Sequence, residues 1–116
     1  SDRVRAFLQR EGALLLERGE QHYYDVRTRF NKEQDPLDFL FVNRSAFNGM
    51  IRFNKKGEMN IPFCRKPNRY AKAYVTKIVN QVAAVSKIIQ EKKFVFKFEI
   101  YNFVASCIDF RNIEFC

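Results

Sequence analysis

A chain of 116 residues with 47% hydrophobic and 16% aromatic side chains is the size of one domain and carries enough apolar material for a single core, which excludes a disordered polypeptide. Its 21 Lys and Arg against 13 Asp and Glu leave a formal charge of +8, which favours a polyanionic partner without naming one. Cys64, Cys107, Cys116 and the lone His22 lack the paired spacing of a zinc site and no apolar run approaches the roughly 20 residues of a membrane span, so no metal and no membrane partner are expected, and the sparse cysteines read as reduced thiols of a cytoplasmic protein.

Val4, Phe7, Leu8, Leu14 and Leu15 recur at helical spacing around Gly12 and predict a first helix ending near Gly19. Tyr23, Val26 and Phe30 predict a second. Asp35 before Pro36 is a helix start, since Asp accepts from free amides and Pro gives up a donor the first turn does not use; the third helix then buries Leu37, Leu40 and Phe41. From Met50 to Phe63 the period becomes two around Asn54-Lys55-Lys56-Gly57, which predicts a β-hairpin with Ile51, Phe53, Met59, Ile61 and Phe63 inward and Met50, Arg52, Asn60 and Pro62 outward. A basic loop, Arg65 to Tyr70, follows. Tyr74 to Val79 fits an extended or a helical segment, Asn80 caps a helix to about Lys92, and Phe94-Phe96-Phe98 and Ile113-Glu114-Phe115 read as strands.

The run Asn43-Arg44-Ser45-Ala46-Phe47-Asn48-Gly49-Met50-Ile51-Arg52-Phe53-Asn54, continued by Lys56-Gly57-Glu58-Met59-Asn60-Ile61-Pro62-Phe63, resembles the target-recognition hairpin of Dam-type DNA adenine methyltransferases. Tyr23-Tyr24 through Arg27, Phe30-Asn31-Lys32 and Gln34-Asp35-Pro36 extend the resemblance over roughly residues 20 to 70. The glycine-rich FxGxG cofactor motif and the DPPY motif of that family are absent, and Ile113-Glu114-Phe115-Cys116 resembles the strand leading into DPPY. The resemblance thus implies an insert domain of a longer enzyme, with no cofactor of its own and S-adenosylmethionine in the parent.

From the residues alone, an outward Arg52 on a two-stranded ribbon is suited to donate twice to guanine O6 and N7 in a major groove, against the plainer reading of a solvated strand arginine. The resemblance makes Arg52 the guanine reader. It also makes Phe47, where the family often has Tyr, a wedge in the base stack beside a flipped adenine, and Met50 with Pro62 an apolar patch on a thymine methyl. Asn48 supplies left-handed turn geometry or a hydrogen bond near the vacated base; both readings stand. Arg44, Lys55, Lys56, Arg65, Lys66 and Arg69 flank the ribbon and suit phosphates, which position without reading sequence. Cys64 stands where the family usually has Gly, which puts the path of the following loop, and so Arg65, in question. His22, without a nucleophile or carboxylate at meaningful spacing, reads as a packing or surface residue.

The expected fold is mainly α with one β-hairpin: a helical target-recognition domain over 1–92 with the hairpin at about 47–65, and strand segments over 93–116 belonging to the α/β sheet of a parent methyltransferase. The expected partners are double-stranded DNA and the rest of that methyltransferase, in a maintenance or a restriction-modification setting. The competing reading is a non-catalytic basic nucleic-acid-binding module in which the hairpin is scaffold.

Overall fold

In the computed structural model the described residues are 2–92, and of Lys92 the backbone alone. Helix α1 spans Asp2–Arg18, α2 Glu20–Glu33, α3 Pro36–Ser45 and α4 Lys72–Lys92, with a single 3-10 turn at Phe47–Gly49. Asp2 and Arg18 place charges that complement the dipole at the two ends of α1. The chain breaks at Gly19, whose φ of 68° is a conformation that an L side chain resists, and α2 restarts one residue later. Gln34, at φ 56°, closes α2 by donating its backbone N–H to the Phe30 carbonyl. As expected, Asp35 accepts from the Leu37 amide at 2.8 Å and Pro36 opens α3.

α1, α2 and α3 pack mutually, and α4 lies on α1. Leu8, Leu15, Tyr23, Val26, Phe41, Val42, Val75 and Ile78 form the buried centre, joined by Met59, Ile61 and Phe63 from the loop. Beside this core sits a charged knot. Arg29 on α2 donates to both carboxylate oxygens of Asp38 on α3, at 2.9 and 2.7 Å, and to Glu11 on α1 at 2.7 Å. His22 completes it, 2.9 Å from the other Glu11 oxygen and edge-on to Phe41. Asp38, then burial acting in the opposite sense, then Glu11 set the Arg29 pKa, and the net direction is upward. Two buried carboxylates therefore have one shared cation, which fixes the three helices in register.

Gly12 does not interrupt α1; it admits a neighbour. A Cβ there would lie 2.4 Å from the Cβ of Tyr70, whose ring stacks on Phe41 at 5.1 Å and 13°. The Tyr70 hydroxyl donates to the Phe41 carbonyl and shares a 2.7 Å hydrogen bond with Ser45.

Several expectations are corrected. The segment around 54–57 folds back, but among the described residues it forms no strand or sheet: pairing is limited to isolated antiparallel bridges, Phe53 with Met59 and Ala46 with Phe63. The inner face is half right. Met59, Ile61 and Phe63 are buried, whereas Ile51 and Phe53 are 50% and 45% exposed, because only the returning arm lies on the helices. α4 starts at Lys72, so Tyr74 to Val79 is helical and Asn80 lies inside the helix instead of capping it. Cys64 is buried. The strands expected over 93–116, with Cys107 and Cys116, lie outside the described residues.

Candidate nucleic-acid interface

The returning arm is held by side chains of a helix, not by a partner strand. Tyr23, Arg27 and Asn31 are spaced by four along α2 and so share one face. The Tyr23 hydroxyl and the Arg27 guanidinium donate to the Ile61 carbonyl at 2.7 and 2.9 Å. Asn31 uses its amide in both senses, accepting from the Met59 N–H at 2.7 Å and donating to the Met59 carbonyl at 3.0 Å. The Tyr24 hydroxyl accepts from the Phe63 amide at 3.4 Å, and the Arg27 guanidinium lies over the Tyr24 ring. Alternate residues of an extended segment, 59, 61 and 63, thereby satisfy backbone groups that a sheet would otherwise pair. Burial pushes the Tyr23 hydroxyl up to about 12, an effect that the Arg27 charge partly opposes.

The base of the loop is closed by main-chain bonds: Phe47 N–H to the Pro62 carbonyl and Cys64 N–H to the Ser45 carbonyl, each at 2.9 Å. At the tip, the Asn54 side chain accepts from the Lys56 and Glu58 amides and Gly57 adopts φ 79°, as the turn signal required. Asn48 has φ 54° and Gly49 φ 62°, and Asn43 donates to the Gly49 carbonyl at 3.1 Å. Left-handed turn geometry is thus one thing Asn48 supplies, with its side chain on the surface.

This scaffold leaves one arm outside. Phe47 and Met50 are 47% and 45% exposed, Arg52 and Pro62 are exposed, and Phe47 and Pro62 are neighbours through their main-chain bond. Arg52 stands opposite Asn60, donating from Nε to Asn60 Oδ1 at 3.0 Å and from Nη2 to the Asn60 carbonyl at 3.4 Å. Lys55 and Lys56 occupy the tip, and Arg65 and Lys66 are exposed beyond the returning arm. Arg65 itself takes the left-handed conformation, φ 67°, directly after Cys64.

Arg44 and Arg69 do not join the surface set. They are 7% and 8% exposed. Arg44 donates to Gln81 on α4 at 3.2 Å, and burial lowers its pKa; the Arg69 guanidinium lies 4.5 Å from the Tyr74 ring centre. Both tie the loop and α3 to α4. Sequence reasoning missed Tyr23, Arg27 and Asn31 as the residues that hold the loop, although their spacing by four was there to be seen. His22 is buried, which settles the packing-or-surface alternative for packing, but it has the carboxylate partner that the sequence did not suggest, Glu11 at 2.9 Å.

Among the described residues, no group of three or more His, Cys, Asp or Glu is placed to hold a metal, and no helix is long and apolar enough to cross a membrane. The glycines do not form a cofactor cradle: Gly12 is packed on Tyr70, Gly19 links two helices, and Gly49 and Gly57 serve turns.

The geometry defines a class: a small helical domain that displays a basic loop pinned to one helix face. The chain belongs to the D12 class N6 adenine-specific DNA methyltransferase family, whose model matches residues 2–106. It is similar to the DNA adenine methylase of Escherichia coli, 46% identical over 56 residues, covering 45% of this chain and 19% of that protein. The Type II methyltransferase M.MjaIII of Methanocaldococcus jannaschii is 41% identical over 59 residues, 45% of this chain and 20% of that protein. The DNA adenine methylase of Vibrio cholerae is 49% identical over 45 residues, 35% of this chain and 16% of that protein. These matches span about one fifth of each relative's length or less.

Proposed function

We propose that this chain is the target-recognition part of a site-specific DNA adenine methyltransferase, and that its own task is to bind duplex DNA through residues 47–65. The observation that carries this reading is the exposed guanidinium of Arg52, set opposite a returning arm that the core holds. Arg52 reads a guanine, Phe47 enters the base stack, Asn48 lies near the vacated position, and Met50 with Pro62 meets a thymine methyl. Lys55, Lys56, Arg65 and Lys66 contact phosphates; the buried Arg44 and Arg69 are not carried forward. The target is GATC or a longer site containing GAT. In the complete enzyme, S-adenosylmethionine supplies the methyl group for the exocyclic amino group of adenine; this chain's residues bind and orient the duplex.

The test is affinity for a GATC duplex and for a scrambled duplex across a salt series. Replacing Arg52 by Ala lowers GATC affinity by about 1–3 kcal/mol, roughly five- to 150-fold, and changes scrambled affinity little. If four cations reach phosphates, the slope of log affinity against log salt is about −4. Equal losses on both duplexes would assign Arg52 to the backbone and favour a basic module without base preference.

A further inference from the structure

We propose that Asn60 is a positioning residue that sets base specificity through Arg52. The inference rests on the reading of Arg52 given above and concerns how its side chain comes to be aimed. A guanidinium has five N–H donors. Asn60 engages two of them, Nε–H with its side-chain oxygen at 3.0 Å and one on Nη2 with its carbonyl at 3.4 Å. The remaining three, both on Nη1 and one on Nη2, are at the end of the fork, and a guanine edge needs two. Holding the inner nitrogen therefore leaves the recognition end open.

The hold is anchored to the core. Asn60 lies between Met59 and Ile61, the two residues whose main-chain groups Asn31, Tyr23 and Arg27 engage. Its own N–H donates to the Arg52 carbonyl at 3.3 Å, which fixes the register between the two arms. A path of hydrogen bonds thus runs from α2 through the returning arm to a side chain that is otherwise long, flexible and solvent-exposed. Arginine without such a hold must be ordered when DNA binds, and that ordering weakens the contact.

Four versions of the chain test this: unaltered, Arg52→Ala, Asn60→Ala and the double variant. Each is titrated at one salt concentration with a GATC duplex and with the same duplex after replacement of the guanine pair. Asn60→Ala lowers the preference for the guanine duplex roughly two- to tenfold, the effect of ordering one long side chain. Arg52→Ala removes the preference, and the double variant matches Arg52→Ala. Asn60→Asp retains the acceptor, so it weakens binding to both duplexes through its charge but keeps the preference. In the DNA-free protein, the Arg52 Nε–H resonance exchanges slowly and Asn60→Ala makes it fast, with the helical circular dichroism unchanged.

An unchanged preference in Asn60→Ala, with Arg52→Ala losing it, overturns the positioning role and leaves Arg52 as reader. Additive losses in the double variant also overturn it, because Asn60 then contacts DNA by itself. An Arg52→Ala variant that keeps full preference overturns the parent reading instead. Should Asn60→Ala disturb the fold, the Arg52 Nε–H exchange of the unaltered, DNA-free chain decides: slow exchange supports the hold and fast exchange overturns it.

Discussion

Replacing Asn31 by Ala removes the donor and the acceptor that hold Met59, leaving that residue's N–H and C=O without their partners. Met59 is 1% exposed, so neither group reaches water without rearrangement. A buried backbone group left unmade costs about 1–3 kcal/mol. Asn31 is itself only half-buried, so its truncation admits some water, and the two groups together should lower stability by about 2–3 kcal/mol. A domain of this size unfolds with a urea dependence of about 1–3 kcal/mol/M, so the midpoint falls by roughly 0.7–3 M. Amide hydrogen exchange gives the local readout: the Met59 N–H, protected by the Asn31 oxygen, becomes fast in Asn31→Ala. Asn31→Asp separates the two bonds, since it keeps the acceptor for the amide, loses the donor and turns a carboxylate toward the Met59 carbonyl. It should be about as unstable, with the Met59 amide still protected. A stability within about 0.5 kcal/mol of the unaltered chain, together with a slow Met59 amide in Asn31→Ala, would refute the reasoning that α2 holds the loop.

Tyr23 makes stability fall at alkaline pH: the unfolded chain releases the hydroxyl proton near pH 10, the folded chain holds it to about 12, and the stabilisation is present in full below 10 and lost as pH rises through 12. Urea midpoints across that window check this, and Tyr23→Phe should flatten part of the decline; an identical decline in the variant would count against it. Gly12→Ala would stabilise an exposed helix by about 1 kcal/mol, but here the new methyl meets Tyr70 at 2.4 Å, so a net loss of roughly 1–3 kcal/mol is expected in thermal unfolding. A raised melting temperature would show that Tyr70 can retreat freely.

The helices were legible wherever apolar periodicity met a stop or start signal. Asp35-Pro36 opened α3 as chemistry requires, and Asn54 with Gly57 made the turn. The inner face of the loop was misread because alternation predicts two sides of a ribbon and not which arm the core covers; Ile51 and Phe53 keep the pattern but find no layer beneath them. Tyr23, Arg27 and Asn31 escaped notice as holding residues because a polar stripe on a helix ordinarily faces solvent. Arg44 and Arg69 flank the loop in sequence, which suggests phosphate contacts, whereas an arginine can lie within a fold when its guanidinium finds Gln81 or the face of Tyr74. Tyr74 to Val79 was ambiguous because its apolar spacing suits two conformations; packing on α1 selects the helix.

The attachment of the loop to α2 is made to main-chain atoms of residues 59, 61 and 63, and its base is closed by main-chain atoms of 45, 47, 62 and 64. Side chains at 50, 52 and 62 take no part in those bonds. Their identity can therefore change without loosening the platform beneath them, so the chemistry the loop displays and the firmness of its attachment are set by different residues. Exchanging residues 50 and 52 for other outward side chains is a graft onto an unaltered support.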